Sequence, residues 1–292
     1  ELGLPQTLSG VAEALGLTEQ KDTRGKNLIN YFSKPCKPTE ANGGRTRNLP
    51  VHDKEKWQSF MDYCKQDVEV ERAIKKKIAR FPLKDSEQTL WEYDQTINAR
   101  GVRIDLTMVQ NAITFNQQFT DSCKAQAQAL TGLENPNSLI QLKGWIQKRT
   151  GKEINSLRKD DLEALIATIG EEDVKTVLQL REKTAKTSTA KYEAMERSVC
   201  PDGRIRGLLQ FYGANRTGRW AGRLVQVQNL PQNHMKDLDL ARSVVVSGDY
   251  ELFTMLYDNP PQGLSELIRT AIIPSDGRRF IISDFAAIEA RV

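Results

Sequence analysis

The chain has 292 residues, of which 39% are hydrophobic and 27% are charged, as in an ordinary globular protein. This length suggests about two domains, and the absence of any run of about 18 apolar residues argues against a membrane helix. Four cysteines form no CxxC pair and lie far from both histidines. This argues against a zinc site or a disulfide scaffold and indicates a reducing compartment such as the cytoplasm.

Apolar periodicity predicts a series of helices in the first two hundred residues. A loop rich in Pro, Gly and Asn is predicted at 33–53, and a short strand at 101–105. The predicted helices cover about 1–20, 54–80, 86–99, 106–130, 139–148, 158–168 and 171–197.

After residue 200 the pattern changes to a mixture of strands, loops and helices. Strands are predicted at 205–212 and 280–284, of which the second is expected to be buried. A loop rich in Gly and Arg is predicted at 213–222, and helices at 236–257 and from 286 onward. The whole pattern predicts a helix-rich α+β fold.

The net charge of +4 is unevenly distributed along the chain. Residues 181–223 hold ten Lys and Arg against four Asp and Glu, a local charge of +6. Phe211, Tyr212 and Trp220 are interspersed with these cations, a combination typical of nucleic-acid binding. The alternative is a solvated helix face followed by a flexible loop.

A carboxylate at the end of a buried strand is costly unless it is paired or bound to metal. Asp284 ends the predicted strand at 280–284, and Glu289 follows five residues later. Sites of metal-assisted phosphoryl transfer use such strand-end oxygen ligands. The alternative for Asp284 is that it caps the following helix.

Several segments resemble family A DNA polymerases. The segment 284–291 (DFAAIEAR) resembles motif A, and 216–220 (RTGRW) and 228–231 (QNLP) resemble the Thr-Gly-Arg and Gln-Asn-Ile-Pro elements. The segment 183–192 (KTAKTSTAKY) is similar to the Lys-x-x-Ser-Thr-Tyr element at the tip of the thumb domain. The insertion at 232–263 resembles the bacteriophage-type branch.

An upstream segment resembles the third motif, Tyr-x-x-x-Asp, of DnaQ-like 3′–5′ proofreading exonucleases. Tyr63 and Asp67 carry this resemblance, and as residues i and i+4 they share one face of a helix. One of the two side chains can orient a water while the other holds a divalent ion. The alternative is an ordinary surface Tyr and Asp.

The resemblance implies a domain order and a fold class. It implies a partial DnaQ-like exonuclease tail, a helical thumb and the N-terminal part of an antiparallel-sheet palm. The implied boundaries are 1–80 for the exonuclease part, 81–105 for a connector into the palm, 106–200 for the thumb and 201–292 for the palm.

The resemblance also implies site residues, with two Mg²⁺ ions as cofactor and a dNTP as substrate. Asp284 would bind both catalytic metals, the Phe285 carbonyl would be a further ligand, and Glu289 would exclude a ribose 2′-hydroxyl. Arg219 would reach the minor groove at the primer end, and Asp67 would hold a metal in the exonuclease site. The implied contacts to primer–template duplex come from Lys183, Lys186, Ser188, Thr189, Lys191, Arg216, Arg219, Gln228 and Asn229.

The chain departs from the family pattern in motif A, where Phe285 and Ala286 replace the usual Tyr and Ser. No fingers helix, later palm carboxylate or first exonuclease motif occurs within the 292 residues. We therefore expect the chain alone neither to polymerise nor to proofread. The alternative function is a non-catalytic duplex-DNA-binding module that retains the thumb grip. No processivity partner can be identified from the sequence.

Overall fold

The structure is a computed structural model, which describes residues 3–22, 25–154, 156–185, 187–214 and 216–283. The chain forms two compact units, Glu1–Gln88 and Thr89–Val292. This division falls near the predicted end of the exonuclease part at residue 80. The finer boundaries at 105 and 200 stay predictions.

Three helices lie wholly within the described residues of the first unit. They are α1 (Leu8–Ala14), α2 (Gly25–Ser33) and α3 (Lys54–Ile78). Asp53 starts α3 by accepting a hydrogen bond from the Lys56 amide at 2.9 Å. The prediction of a helix at 54–80 is confirmed, whereas α2 was not predicted. Residues 33–53 form a loop with 3₁₀ turns at Glu40–Asn42 and Pro50–His52.

Helix α4 (Asp85–Arg100) begins in the first unit and ends in the second. The remaining helices are α5 (Leu106–Thr131), α6 (Leu139–Thr150), α7 (Lys159–Thr168), α8 (Glu172–Thr184), α9 (Ala190–Ser198), α10 (Leu238–Ser247), α11 (Tyr250–Leu256) and α12 (Pro260–Leu267). The predicted helices from 86 to 168 are thus confirmed to within a few residues. No helix of the described ranges is long and apolar enough to span a membrane.

Two small antiparallel sheets accompany these helices. One pairs β1 (Val102–Arg103) with β2 (Arg204–Ile205), and the other pairs β3 (Leu209–Ala214) with β4 (Arg219–Gly222). The helix-rich α+β prediction agrees with this architecture. The predicted loop at 213–222 is only partly right, because residues 216–218 form a turn whereas Arg219–Gly222 form β4 and pair with β3.

The described residues of the second unit form two hydrophobic cores. In the larger core, Phe115 of α5 packs with Tyr192 of α9 and Phe253 of α11, and all three are almost fully buried. Complete burial of such a side chain contributes about 1.5–3 kcal/mol. The smaller core joins α6, α7 and α8 around residues such as Leu142 and Leu178.

The predicted continuous helix at 171–197 is interrupted. Helix α8 ends at Thr184, a 3₁₀ turn covers Thr187–Thr189, and α9 follows. Ser and Thr side chains compete with helical hydrogen bonding, and here the Ser188 hydroxyl lies 2.7 Å from that of Ser265 in α12. The tertiary contact therefore breaks a helix that the charge pattern favoured.

The predicted buried strand at 280–284 is not formed over its described part. Phe280, Ile281 and Ile282 are 50%, 88% and 90% exposed and belong to no strand. A strand needs a partner for its backbone groups, and none of the described residues supplies one. This prediction is wrong for residues 280–283.

Candidate nucleic-acid interface

The β3–β4 hairpin presents the arginines of the segment 216–220. The strands pair Leu209 with Gly222 and Gln210 with Ala221, and an irregularity follows before Arg219 pairs with Ala214. Arg216, in the turn, and Arg219, at the start of β4, are both exposed. Neither takes part in an ion pair among the described residues. Their guanidinium groups therefore project into solvent, open to an anionic ligand.

Backbone strain is concentrated around this hairpin. In the described part of the chain, the non-glycine residues with positive φ are Tyr212 at 51°, Leu224 at 54° and Gln226 at 54°. Each such conformation costs on the order of 1–3 kcal/mol and persists only when its surroundings hold it. Strain of this kind is typical of functional sites.

Two observed hydrogen bonds hold the strained segment after β4. The Arg223 amide donates to the Leu208 carbonyl at 2.7 Å, which continues the strand pairing. The Lys191 ammonium donates to the Val225 carbonyl at 2.7 Å. One of the three N–H donors of Lys191 is therefore used inside the protein, on the residue that lies between the strained Leu224 and Gln226.

Gln228 and Asn229 lie on a 3₁₀ turn directly after this segment. Both are exposed. The Gln228 amide packs against Gly222 so closely that a Cβ there would lie 1.8 Å from Gln228 Oε1. The Asn229 amide donates to Gln226 Oε1 at 3.2 Å. Because residue 222 is a glycine, Gln228, which was predicted to contact DNA, can lie against the hairpin that carries Arg219.

The residues predicted at the thumb tip have different environments. Lys183 is exposed in the last turn of α8. Ser188 uses its hydroxyl on Ser265, and Thr189 is only 6% exposed, so burial argues against a direct phosphate contact by Thr189. Lys186 lies outside the described residues. The phosphate contacts of these residues stay predictions.

In the first unit, Tyr63 and Asp67 lie on α3 as the sequence pattern indicated. Tyr63 is 6% exposed, and its ring lies against Gly25 of α2, where a Cβ would be 2.1 Å from Tyr63 Cε2. The Asp67 Oδ1 atom is buried and has no hydrogen-bond partner among the described residues. A buried carboxylate oxygen without a partner is costly and fits a cation.

A hydrogen bond to Asp67, helped by burial, raises the pKa of Tyr63 to about 12. The Lys21 ammonium lies 3.9 Å from Asp67 Oδ2 and 5.9 Å from the centre of the Tyr63 ring. Tyr63 also lines a pocket of about 280 Å³ together with Lys21 and Lys26. Tyr63 and Asp67 thus lie close to the positive charge of Lys21, and Tyr63 faces an open pocket.

The Tyr63 hydroxyl offers a direct test of this geometry. Because its pKa lies above the ordinary 10.0, the stabilisation is complete below pH 10 and is lost as the pH rises through about 12. We expect phenolate absorbance, as the difference between the wild-type chain and Tyr63→Phe, to show a midpoint near pH 12. Asp67→Asn should lower that midpoint, and a wild-type midpoint near 10 would contradict the hydrogen bond.

The predicted metal residues Asp284 and Phe285, and the predicted gate Glu289, lie outside the described residues. Within the described ranges, no group of three or more His, Cys, Asp or Glu side chains is placed to hold a metal ion. The four cysteines are free thiols.

Sequence reasoning missed two contacts that shape the site. Lys21 is separated from Asp67 by more than forty residues, and no spacing signal joins them. Asp94 of α4 contacts Trp220 of the hairpin across a separation of 126 residues. Such pairs can be found only once the fold brings the elements together.

The hairpin offers the positive charge of its exposed arginines to an anionic ligand, and comparisons with known proteins specify the family further. No protein-family model matches the chain. The chain is 59% identical over 291 residues to the DNA polymerase of Bacillus phage SP02. It is thus homologous along its whole length to part of a phage DNA polymerase, which confirms the phage polymerase resemblance. The chain covers 45% of that relative, less than half of its length.

Proposed function

We propose that the chain takes part in template-directed DNA synthesis and that its second unit grips primer–template duplex. The observation that carries this proposal is the exposed pair Arg216 and Arg219 on a strained hairpin, without ion pairs among the described residues. Lys183 adds positive charge near the predicted thumb tip. Phosphate contacts give affinity without sequence preference, as a polymerase requires.

We further propose a family A nucleotidyl transfer for the longer protein. A primer 3′-oxygen attacks the α-phosphate of a dNTP, and pyrophosphate leaves. Mg²⁺, when bound, stabilises the attacking and leaving oxygens. Asp284 and the Phe285 carbonyl would hold it, and Glu289 would exclude a 2′-hydroxyl. Arg219, Gln228 and Asn229 would contact minor-groove acceptors, which are alike in all correct base pairs.

The second unit would accordingly serve as thumb and as the N-terminal part of the palm. The helices of the smaller core suit a thumb because they form a packed subdomain of their own. The hairpin, the strained segment and the larger core suit the start of the palm, since they hold Arg219 against a rigid base.

Proofreading in the longer protein is a second proposal, supported by the unpartnered Asp67 Oδ1. Asp67 would hold a divalent cation, which lowers the pKa of a bound water when present. The Tyr63 hydroxyl is protonated at neutral pH, as in any tyrosine, and because it donates its hydrogen to Asp67, its oxygen can accept a hydrogen bond from an attacking water. Lys21 and Lys26 would attract the phosphates of a single strand into the neighbouring pocket.

The salt dependence of binding tests the duplex grip. We expect the 292-residue chain to bind fluorescent primer–template DNA with an affinity that falls linearly on a log–log plot against salt. Lys183→Ala should reduce the magnitude of the slope by about 0.9, because one phosphate contact is lost. Lys183→Arg keeps the charge and should keep the slope.

An unchanged slope for Lys183→Ala would remove this residue from the phosphate contacts. Absence of any salt-dependent binding by the wild-type chain would contradict the proposed grip itself. Fluorescence anisotropy from 50 to 300 mM salt covers the range in which phosphate contacts change the affinity measurably.

A further inference from the structure

Helix α4 holds both strands of the β3–β4 hairpin through two polar side chains one helical turn apart. The Trp220 indole N–H of β4 donates to Asp94 Oδ1 at 2.8 Å. The Asn98 side chain pairs with the backbone of Leu209 at the start of β3, donating to its carbonyl at 2.9 Å and accepting from its amide at 3.0 Å. Two side chains within one turn of α4 thus bind the two strands, Asp94 to β4 and Asn98 to β3.

Asp94 is an unusual residue to find in this position. It is 2% exposed, and its Oδ2 accepts hydrogen bonds from Asn98 and Gln95 at 3.1 Å each. None of the ion pairs among the described residues includes it. Burying a carboxylate without a cation is costly, and an apolar residue of similar volume would be more stable. Stability alone therefore does not account for Asp94.

The position of Trp220 explains why a buried carboxylate is useful at position 94. Trp220 follows Arg219 directly in β4, and successive side chains of a strand point to opposite faces. The Trp220 ring also packs edge-on against Phe211 of β3, with 5.5 Å between ring centres. Trp220 is itself 40% exposed, but its indole N–H is bound to α4, so Arg219 lies on the opposite face of the strand, where it is also exposed.

We propose that Asp94 and Asn98 are positioning residues for duplex DNA: they lock the hairpin so that Arg219 is presented to the primer–template. The inference rests on the proposed function of the second unit. The strained Tyr212 lies within the irregular part of β3, so a hairpin released from α4 can relax and carry Arg219 away.

Asp94→Asn in the 292-residue chain tests whether Asp94 locks the hairpin, because this proposal and simple electrostatics predict opposite changes in DNA affinity. The substitution removes a negative charge, so simple electrostatics predicts tighter DNA binding. The lock predicts about tenfold weaker binding, because a side-chain amide has one oxygen and cannot accept from Trp220 on one side and from Asn98 and Gln95 on the other, so its NH₂ group must face one set of buried donors. Affinity is measured by anisotropy with labelled primer–template. Unchanged or tighter binding by a folded variant overturns the proposal.

Trp220→Phe is the second variant, since it keeps an aromatic ring at this position but deletes the donor to Asp94 together with the rest of the pyrrole ring. The matched control is Trp91→Phe: Trp91 lies on α4, the helix of Asp94, and is 44% exposed. We expect binding to weaken several-fold for Trp220→Phe and to stay within about twofold for Trp91→Phe. Equal effects of the two substitutions would overturn the lock.

A double-mutant cycle separates positioning from general destabilisation. If Asp94 acts through Arg219, Asp94→Asn should weaken binding little further in a chain that already carries Arg219→Ala. Additive losses overturn the proposal. In addition, the Trp220 indole N–H should exchange with solvent at least about tenfold more slowly than that of Trp91, and this difference between the two rates should become smaller in Asp94→Asn.

These outcomes also separate the lock from the proposed function. A wild-type chain that does not bind duplex DNA overturns the proposed function and the role in DNA binding together. A wild-type chain that binds, with Asp94→Asn binding equally well, overturns the lock alone. Wild-type Trp220 and Trp91 indole protons that exchange at the same rate overturn the lock whatever the DNA result.

Discussion

Replacement of Asp284 by Ala, in a chain continued to the length of the phage SP02 polymerase, is expected to lower nucleotide addition on the order of 10³-fold or more. Affinity for primer–template DNA should change less than about twofold. In the proposed mechanism this carboxylate holds the metals that stabilise the attacking and leaving oxygens, whereas the grip on DNA belongs to other residues. Single-turnover primer extension and anisotropy measure the two properties separately.

Asp276→Ala provides the matched control for that experiment. Asp276 is an exposed carboxylate eight positions earlier in the chain, and it pairs with Arg103 at 2.7 Å. Exposed ion pairs contribute little to stability, so extension by this variant should stay near the wild-type rate. Strong extension by Asp284→Ala would show that the metal site is elsewhere. It would also favour the alternative that Asp284 only caps the helix that follows it.

Arg219→Ala is expected to weaken binding of primer–template DNA by the 292-residue chain about tenfold. A charge-assisted hydrogen bond contributes about 1.5–3 kcal/mol, and a factor of ten corresponds to about 1.4 kcal/mol. Arg219 is exposed at the start of β4 and has no ion pair among the described residues, so its guanidinium is open to a ligand. Fluorescence anisotropy at fixed salt gives the affinity.

Arg197→Ala is the control for charge removal as such. Arg197 is exposed in α9, where it lies 3.5 Å from Glu193, so its charge is already partly compensated. Its loss should change binding less than about twofold. Equal losses from Arg197→Ala and Arg219→Ala would mean that only total charge matters and that the hairpin has no special role.

The choice between a polymerase and a non-catalytic binding module depends on sequence beyond these residues. Both functions need the hairpin and the thumb cations, so DNA binding alone does not separate them. A fingers helix and a second palm carboxylate encoded downstream of Val292 would support the polymerase. A stop codon directly after that residue would support the module.

The long helices could be predicted from the sequence because their causes are local. Asp105 caps α5 by accepting a hydrogen bond from the Met108 amide at 3.1 Å, and Gly132 ends the helix with φ of 66°. Capping side chains, terminal glycines and apolar periodicity act within a few residues of each other, so they can be recognised in the chain itself.

The interrupted helix and the hairpin show where local reasoning fails. The charge pattern at 171–197 favours one helix, but Ser188 is held by Ser265, far away in the sequence. The hairpin region contains five glycines within 203–222 and was predicted to be a loop after β3. Its two strands bind Asn98 and Asp94 of α4, which lie more than one hundred positions earlier in the chain.

For this protein, the sequence by itself was enough to determine the capped helices, the uneven charge and the ordered motifs that identify a relative of phage DNA polymerases. These depend on residue type and spacing along the chain. The tertiary structure alone decided that Lys191 holds a strained segment, that Asp67 lies beside Lys21, and that a buried carboxylate fastens the hairpin of Arg219. Those properties depend on distances between atoms that are remote in sequence, and only packing sets such distances.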